Sequence, residues 1–127
     1  MKKSLLFTLI ALSAFGLSFM QKGANIQFLE TVHDFGTMQE GSKPKYDFKF
    51  VNRGDAPLVI VSVDKSCGCT EPSFPEEAIM PGDTGIIQVG YNSVGREGRF
   101  DKSITVNSNA VDGAVRLRIV GKVIKKD

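Results

Sequence analysis

From residue 26 onward, hydrophobic and polar side chains alternate in short runs that are separated by Gly, Pro, Asn and Asp. The clearest run is residues 46–50, in which aromatic side chains alternate with an aspartate and a lysine. Alternation with a period of two residues is typical of a β-strand with one buried face. No long stretch has helical periodicity, so the pattern predicts an all-β protein.

Two stretches depart from simple alternation. Residues 58–63 are apolar on both faces apart from Ser62, which predicts a central strand, and Pro57 is tolerated just before it. Residues 66–83 contain both cysteines and three prolines, which predicts a long irregular connection between two sheets. The runs with strand character are residues 26–35, 46–50, 58–63, 87–91, 104–106 and 115–123. Their spacing predicts an immunoglobulin-like β-sandwich of about seven strands in two sheets, occupying residues 25–125.

The first twenty residues have a different character. Two lysines precede an apolar run over residues 5–19, which is the arrangement of a secretory signal peptide. We expect residues 1–20 to direct export, with cleavage after Ser18 or, as a poorer alternative, after Ala24. An uncleaved anchor is the other interpretation, because the uncharged stretch approaches the length of a membrane-spanning helix. No cysteine follows to carry a lipid, so we expect a mature protein that is soluble in the periplasm or outside the cell, without a stable membrane anchor.

Length and charge narrow the range of functions. A chain of 127 residues, less an export segment, has room for one domain of sandwich size. It carries 16 Lys and Arg against 14 Asp and Glu, and removal of the two N-terminal lysines leaves 14 of each sign. A domain near neutrality lacks the positive charge with which proteins neutralise nucleic-acid phosphates or anionic membranes. We therefore expect no nucleic-acid partner.

The sequence Cys67-Gly68-Cys69 is the most unusual chemical feature. Two thiols one residue apart lie on the same side of an extended chain, and the glycine lets the backbone bend so that they can meet. A disulfide across so short a loop is strained, and strained disulfides are more easily reduced, which gives a redox role a physical basis. Two thiolates could instead hold copper(I), whereas zinc requires four ligands. The third interpretation is structural: Cys67 and Cys69 plug one end of the sandwich as an inert bridge or as small buried side chains.

Other polar residues give weaker evidence for a site. His33 and Asp34 are adjacent, so on a strand they point to opposite faces, and the sequence favours a solvated strand end. Glu71, Glu76 and Glu77 share the long connection, but they lack the alternating oxygen ligands of a calcium loop. No nucleophile with a neighbouring base is recognisable, so we predict no catalytic residue and no cofactor, and no metal site apart from the copper(I) alternative at the two cysteines.

Three apolar residues of the long connection, Phe74, Ile79 and Met80, have two interpretations. They either cap the core or form an exposed patch for a partner. The sequence leaves both open, and the three residues are therefore a candidate partner-binding loop.

A set of short motifs spans nearly all of the β-rich region. The motifs are Phe35-Gly36, Glu40-Gly41, Phe48, Phe50, Asn52 and Gly54, Pro57-Leu58, Ser66-Cys67-Gly68-Cys69-Thr70, Pro81-Gly82, Ile104-Thr105-Val106 and Ser108-Asn109. In these motifs the chain resembles domain of unknown function family 1573 (DUF1573) from about Phe28 to Val123, most specifically in the Ser-Cys-Gly-Cys-Thr block. The resemblance implies an exported bacterial protein with an immunoglobulin-like fold similar to the ASH and MSP domains of ciliary and sperm proteins. The family has no established activity, so the resemblance supplies no catalytic residues.

Taken together, these features predict a non-enzymatic exported module that binds another protein or an envelope component. The alternative is a thiol protein in which Cys67 and Cys69 cycle between dithiol and disulfide, or bind copper(I). The sequence indicates neither the identity of the partner nor the oligomeric state.

Overall fold

The computed structural model describes residues 22–126, and this part of the chain contains eight strands. Strands form there because alternating apolar and polar residues let each run bury one face. No helix occurs in this part, and therefore none that could cross a membrane. The expected signal peptide, residues 1–20, lies outside the described residues. The strands are β1 (Ile26–Phe28), β2 (Val32–Gln39), β3 (Lys45–Asn52), β4 (Ile60–Lys65), β5 (Thr70–Ser73), β6 (Thr84–Tyr91), β7 (Gly98–Ser108) and β8 (Val115–Ile124).

The strands form two four-stranded sheets that pack face to face. Sheet A has the order β1-β3-β6-β5, and sheet B has the order β2-β8-β7-β4. Every pairing is antiparallel except that of β2 with β8, which is parallel. The predicted all-β immunoglobulin-like sandwich is confirmed, with eight strands where the sequence predicted about seven.

The first predicted run is divided between the two sheets. β1 pairs with the end of β3 in sheet A, and the chain then crosses over residues 29–31 so that β2 pairs with β8 in sheet B. The last hydrogen bond between the β1 segment and β3 is donated by the Leu29 N–H to the Lys49 carbonyl at 3.0 Å. The half of β3 that precedes Lys49 is therefore not covered by β1.

The segment that the sequence assigned to a central strand is an edge strand. β4 pairs only with β7, and its register shifts between Ile60 and Ser62. The connection that follows crosses from sheet B to sheet A as predicted, but it is not wholly irregular, because it contains β5. Pro72 is accommodated in β5 because β5 is also an edge strand. On its outer side no neighbouring strand needs the backbone N–H that proline lacks.

The core lies between the sheets and is almost entirely apolar. Two fully buried aromatic residues of β3, Phe48 and Phe50, pack with aliphatic side chains from both sheets. Among the described residues, the buried polar ones are Asn52, Thr70 and Ser93. The inward-facing positions are enough to form this core. Apolar residues that face solvent are therefore not needed for it and are candidates for contact surfaces.

Candidate functional site

The two cysteines lie where the chain crosses from sheet B to sheet A, and a disulfide joins them there. Their Cα atoms are 5.2 Å apart, which is within the usual range for a disulfide. Cys69 is buried in the core, whereas Cys67 is half-buried at its margin. An external thiol that reached the bridge would therefore meet Cys67 first.

Hydrogen bonds hold both ends of this crossing in place. On the sheet B side, the Ser66 N–H donates to the Ser103 carbonyl at 3.1 Å. On the sheet A side, the Asn92 N–H donates to the Cys69 carbonyl at 2.8 Å. The disulfide thus closes a short segment whose flanks are already fixed to the two sheets.

The polar groups around the bridge are backbone amides, a hydroxyl and one lysine. The Cys69 N–H lies 2.9 Å from Cys67 Sγ, and the Thr70 hydroxyl donates to the Cys67 carbonyl at 3.1 Å. Lys65 donates from Nζ to the Thr70 carbonyl at 3.3 Å. A backbone amide directed at a sulfur stabilises a thiolate, so the Cys69 N–H beside Cys67 Sγ is compatible with thiol chemistry.

A metal site is not assembled in residues 22–126. No three His, Cys, Asp or Glu side chains come together there. The glutamates of the long connection, Glu71, Glu76 and Glu77, are all exposed. Copper(I) binding by the cysteines would first require reduction of their disulfide.

His33 differs from the sequence expectation of a solvated strand end. Its ring stacks on Tyr46 with centroids 3.6 Å apart and planes inclined by 9°, and it meets the Phe35 ring edge-on at 4.7 Å. The pair lies near the start of β2 and Asp34 is exposed, but His33 is half-buried because its side chain is directed against β3. Asp34 points to the opposite face, as predicted, and accepts a hydrogen bond from the Gly36 N–H at 2.7 Å.

Tyr46 is tied to a carboxylate as well as to His33. Its hydroxyl donates a hydrogen bond to Glu30, on the crossing between β1 and β2. This hydrogen bond is the main cause of a raised pKa at Tyr46, and burial and the negative charges of Glu30 and Asp47 act in the same direction. The His33, Tyr46 and Glu30 cluster closes one side of the sandwich.

The structure divides the candidate partner-binding loop. Ile79 is only 9% exposed and pairs with Leu58 through two backbone hydrogen bonds of 2.8 and 2.9 Å, so its side chain belongs to the core. Met80 is 51% exposed. Phe74 is partly exposed beyond the end of β5. Only Met80 and Phe74 therefore present apolar surface to solvent.

Two exposed valines that the sequence did not single out lie on β4 and on the segment before it, which pairs with the segment that carries Met80. Leu58 and Ile79 face inward as a pair, so the residues after them, Val59 and Met80, share the outer face. Val59 is 38% exposed, and Val61, at the irregularity in β4, is 65% exposed. We call Val59, Val61 and Met80 the apolar strip. In the sequence, the two valines belong to residues 58–63, which are apolar on both faces. That pattern is the same for a central strand and for an edge strand whose outer face is apolar.

The two facing four-stranded sheets, with β1 in one and β2 in the other, define an immunoglobulin-like β-sandwich. Within that class, the chain belongs to the family described as "Protein of unknown function (DUF1573)", whose sequence profile matches residues 26–123. The resemblance inferred from the motifs is thereby confirmed. A comparison with curated proteins gives no significant match.

Solved structures share the fold at low sequence identity. A protein of unknown function from Porphyromonas gingivalis W83 superimposes with a TM-score of 0.71 at 16% identity, over 85% of this chain and 50% of that one. The ASH or PapD-like domain 7 of human CEP192 superimposes with a TM-score of 0.62 at 14% identity, over 91% of this chain and 99% of the domain. The secreted serine protease VesC from Vibrio cholerae gives 0.58 at 13% identity, over 78% of this chain and 23% of the protease. This chain thus spans about half of the Porphyromonas protein and under a quarter of the protease.

Proposed function

We propose that this protein is a non-enzymatic binding or assembly module of the cell envelope, and that it contacts a partner protein through the apolar strip. One observation carries the proposal: Val59, Val61 and Met80 are three exposed apolar residues on β4 and on the two paired segments beside it, although the inward positions already supply a complete core. Exposed apolar residues that lie together, unlike single ones, mark interaction surfaces.

The energetics of the strip favour association with another protein. Complete burial of one Val or Met side chain contributes about 1.5–3 kcal/mol, part of which offsets the loss of motional freedom on binding. Asn109 holds the backbone of the strip by accepting from the Val59 N–H at 2.8 Å and donating to the Pro57 carbonyl at 3.0 Å. A preformed backbone lowers the entropic cost of binding.

The similarity to known structures is compatible with this function. Nearly all of one ASH or PapD-like domain of CEP192 superimposes on this chain, whereas the VesC protease matches it over only a small part of the protease's length. A fold shared with part of a hydrolase does not transfer its activity. We therefore propose a module without hydrolytic activity.

Export is part of the same proposal and is supported by the apolar run at residues 5–19 behind two lysines. We expect N-terminal sequencing of the protein from cells to begin between residues 19 and 25. A protein that begins at Met1 in the cytoplasmic fraction would contradict export.

Site-specific photocrosslinking in cells tests the apolar strip. A photoreactive amino acid at Val61 or Met80 is expected to give the same covalent adduct with one partner protein, whereas the exposed Arg116 of β8 serves as the control position. In a protein with the photoreactive group at Met80, Val61→Glu is expected to abolish the adduct, because a buried carboxylate in the contact lacks a partner charge. The variant should keep the wild-type unfolding temperature, since Val61 is mostly exposed. Adducts of equal yield at Arg116, or none at either strip position, would contradict the proposal.

Thiol exchange at the disulfide is a second candidate function, favoured by the position of Cys67 at the margin of the core. A thiolate of an external dithiol attacks Cys67, the bond to Cys69 breaks, and Cys69 leaves as a thiolate. The second external thiol then displaces Cys67, so that two electrons pass from the external dithiol, which becomes a disulfide.

Thiol labelling distinguishes the two candidates. If the bridge exchanges, mild reductant should expose two alkylatable thiols in folded protein, and Cys67→Ser should remove exchange with a reduced thioredoxin-type dithiol while the fold persists. A bridge that resists reductant until the protein unfolds would rule out the redox function and leave a structural bridge.

A further inference from the structure

A central strand of sheet A has one uncovered edge. β1 covers only the end of β3, from Phe50 to Asn52, and the chain leaves sheet A after the contact between Leu29 and Lys49. Residues 45–48 of β3 therefore have β6 on one side and, within residues 22–126, no strand on the other. We call residues 45–48 the open edge.

The backbone groups of the open edge are free to bond a partner strand. In an antiparallel pair, residues that bond the neighbouring strand alternate with residues whose N–H and C=O point away from it. The Asn52 N–H and the Pro44 carbonyl, which accepts from Tyr91, point towards the β6 side. Lys45 and Asp47 fall in the alternate set, and within residues 22–126 their outward backbone groups have no protein partner.

The other strand edges in the described part of the chain are less suited to a new strand. β1 has three residues, and β5 has four and includes Pro72. β4 has an irregular register at Val61, and β2 has one between Asp34 and Thr37. Bulges, short length and proline are the features by which proteins prevent strand addition. The open edge contains no bulge and no proline, and its pairing with β6 is regular.

The side chains at the open edge favour an acidic partner. Lys45 and Lys49 are exposed, and neither forms an ion pair within residues 22–126. The carboxylates beside them bond neutral donors and not the lysines: Asp47 accepts from the Gln88 amide at 2.9 Å, and Glu30 accepts from a tyrosine hydroxyl. Lysines on an edge disfavour uncharged and basic strands, and they leave acidic strands as the complementary ones.

We propose that the open edge binds an extended segment of a partner protein, with acidic side chains on its solvent-facing side, as an added strand of sheet A. The cleft beside β3 has a volume of about 550 Å³, and the exposed Leu29 and the Tyr46 ring form parts of its lining. Every second side chain of an added strand would contact Leu29 and Tyr46. The side chains between them would lie beside Lys45. The site lies away from the apolar strip and does not depend on it.

Binding of a defined peptide tests the proposal. The probe is the peptide Thr-Val-Glu-Val-Glu-Val-Thr, and its matched control has Lys in place of both Glu. We expect the acidic peptide to shift the amide resonances of Lys45 and Asp47 in the purified protein and to slow their hydrogen exchange at least tenfold. The basic peptide should bind at least tenfold more weakly because it faces the two lysines.

Two kinds of variant separate backbone recognition from charge. Asp47→Pro removes one outward N–H without removing a bond to β6, and it is expected to abolish binding, whereas Asp47→Ala keeps the N–H and should retain it. The double change Lys45→Glu and Lys49→Glu should reverse the preference, so that the basic peptide binds better than the acidic one. This double variant changes only exposed side chains and decides the question even if Asp47→Pro fails to fold.

Several results would overturn the proposal. They are protection of β4 amides in place of Lys45 and Asp47, equal affinity for the acidic and basic peptides, or no binding of the acidic peptide at millimolar concentration. A failure of crosslinking at the apolar strip would leave this test unaffected, because the two experiments probe different strands.

Discussion

At the scale of single residues, Asn52 shows how one polar side chain organises an end of the sandwich. Its Oδ1 accepts from the Gly54 N–H at 3.0 Å and from the Asn25 N–H at 3.2 Å. Its Nδ2 donates to the Ala56 and Ile79 carbonyls, both at 2.8 Å. The side chain is fully buried, and all of its hydrogen-bonding groups are satisfied. Asn52 thus joins β1, the turn after β3 and the segment before β6.

Replacement of this asparagine should destabilise the fold strongly. Asn52→Ala removes four hydrogen bonds, two of which are buried, and we expect it to lower the free energy of unfolding by about 3 kcal/mol in urea denaturation. Asn109→Ala is the matched control, since Asn109 makes similar backbone hydrogen bonds on the exposed surface, where water can replace them. Equal losses in the two variants would show that burial of Asn52 is not the cause.

The contact between Tyr46 and Glu30 predicts a specific pH dependence. Glu30→Gln should lower the pKa of Tyr46 towards the ordinary value of about 10, because it removes both the hydrogen bond to a carboxylate and its negative charge. Absorbance titration of the phenolate in a Tyr91→Phe background reports Tyr46 alone, since the chain has two tyrosines. The pKa in the folded state lies above that in the unfolded state, so this contact stabilises the fold below pH about 10. That contribution is lost as pH rises through the raised pKa. An unchanged titration in Glu30→Gln would exclude the contact.

At the scale of strands, the sequence predicted those whose two faces have different polarity. β3, β7 and β8 were recognised because their inward residues are apolar and their outward residues are polar, and this contrast is local. β5 was missed because it contains Pro72 and only one inward residue that is fully buried, Thr70. The crossing between β1 and β2 was also missed, since the choice of sheet is made by long-range pairing and not by alternation.

The candidate site was predictable to a similar extent. Met80 was identified from the sequence as an apolar residue outside a strand, and it is exposed. Val59 and Val61 were assigned to a central strand, because two-sided apolar character looks the same whether the second face meets a second layer or solvent. Ile79 was assigned to the same candidate loop because the sequence does not show its pairing with Leu58, a residue that is distant along the chain.

The crossing that holds the disulfide should depend on it only weakly. Flanking hydrogen bonds already fix Ser66 and Cys69 to the two sheets, and the closed loop is very short. Loop-closure entropy for such a loop amounts to about 1.5 kcal/mol, so Cys67→Ala with Cys69→Ala should reduce stability by about that amount plus the lost packing of Cys69. Urea unfolding of this variant, and of wild type with reductant, measures the effect. Complete unfolding of either would mean that the bridge is essential to the fold.

At the scale of the whole molecule, the two proposed binding surfaces lie on opposite sides of the sandwich. β1 and β2 are the edge strands on one side, where the open edge of β3 lies beside the crossing that joins them. β4 and β5 are the edge strands on the other side, which carries the apolar strip. A small domain with a strand-accepting edge on one side and an apolar contact on the other can bridge two partners, which is a property of an assembly module.

This arrangement predicts that the two surfaces act independently. Val61→Glu should leave the affinity for the acidic peptide within about twofold of wild type, because residues without shared contacts have additive effects. Conversely, the change of Lys45 and Lys49 to Glu should leave crosslinking at Met80 unchanged. Peptide titration and crosslinking of both variants, with thermal unfolding as the control for folding, make the comparison. Loss of both activities in one folded variant would contradict this independence. It would show that binding at the apolar strip and binding at the open edge are coupled.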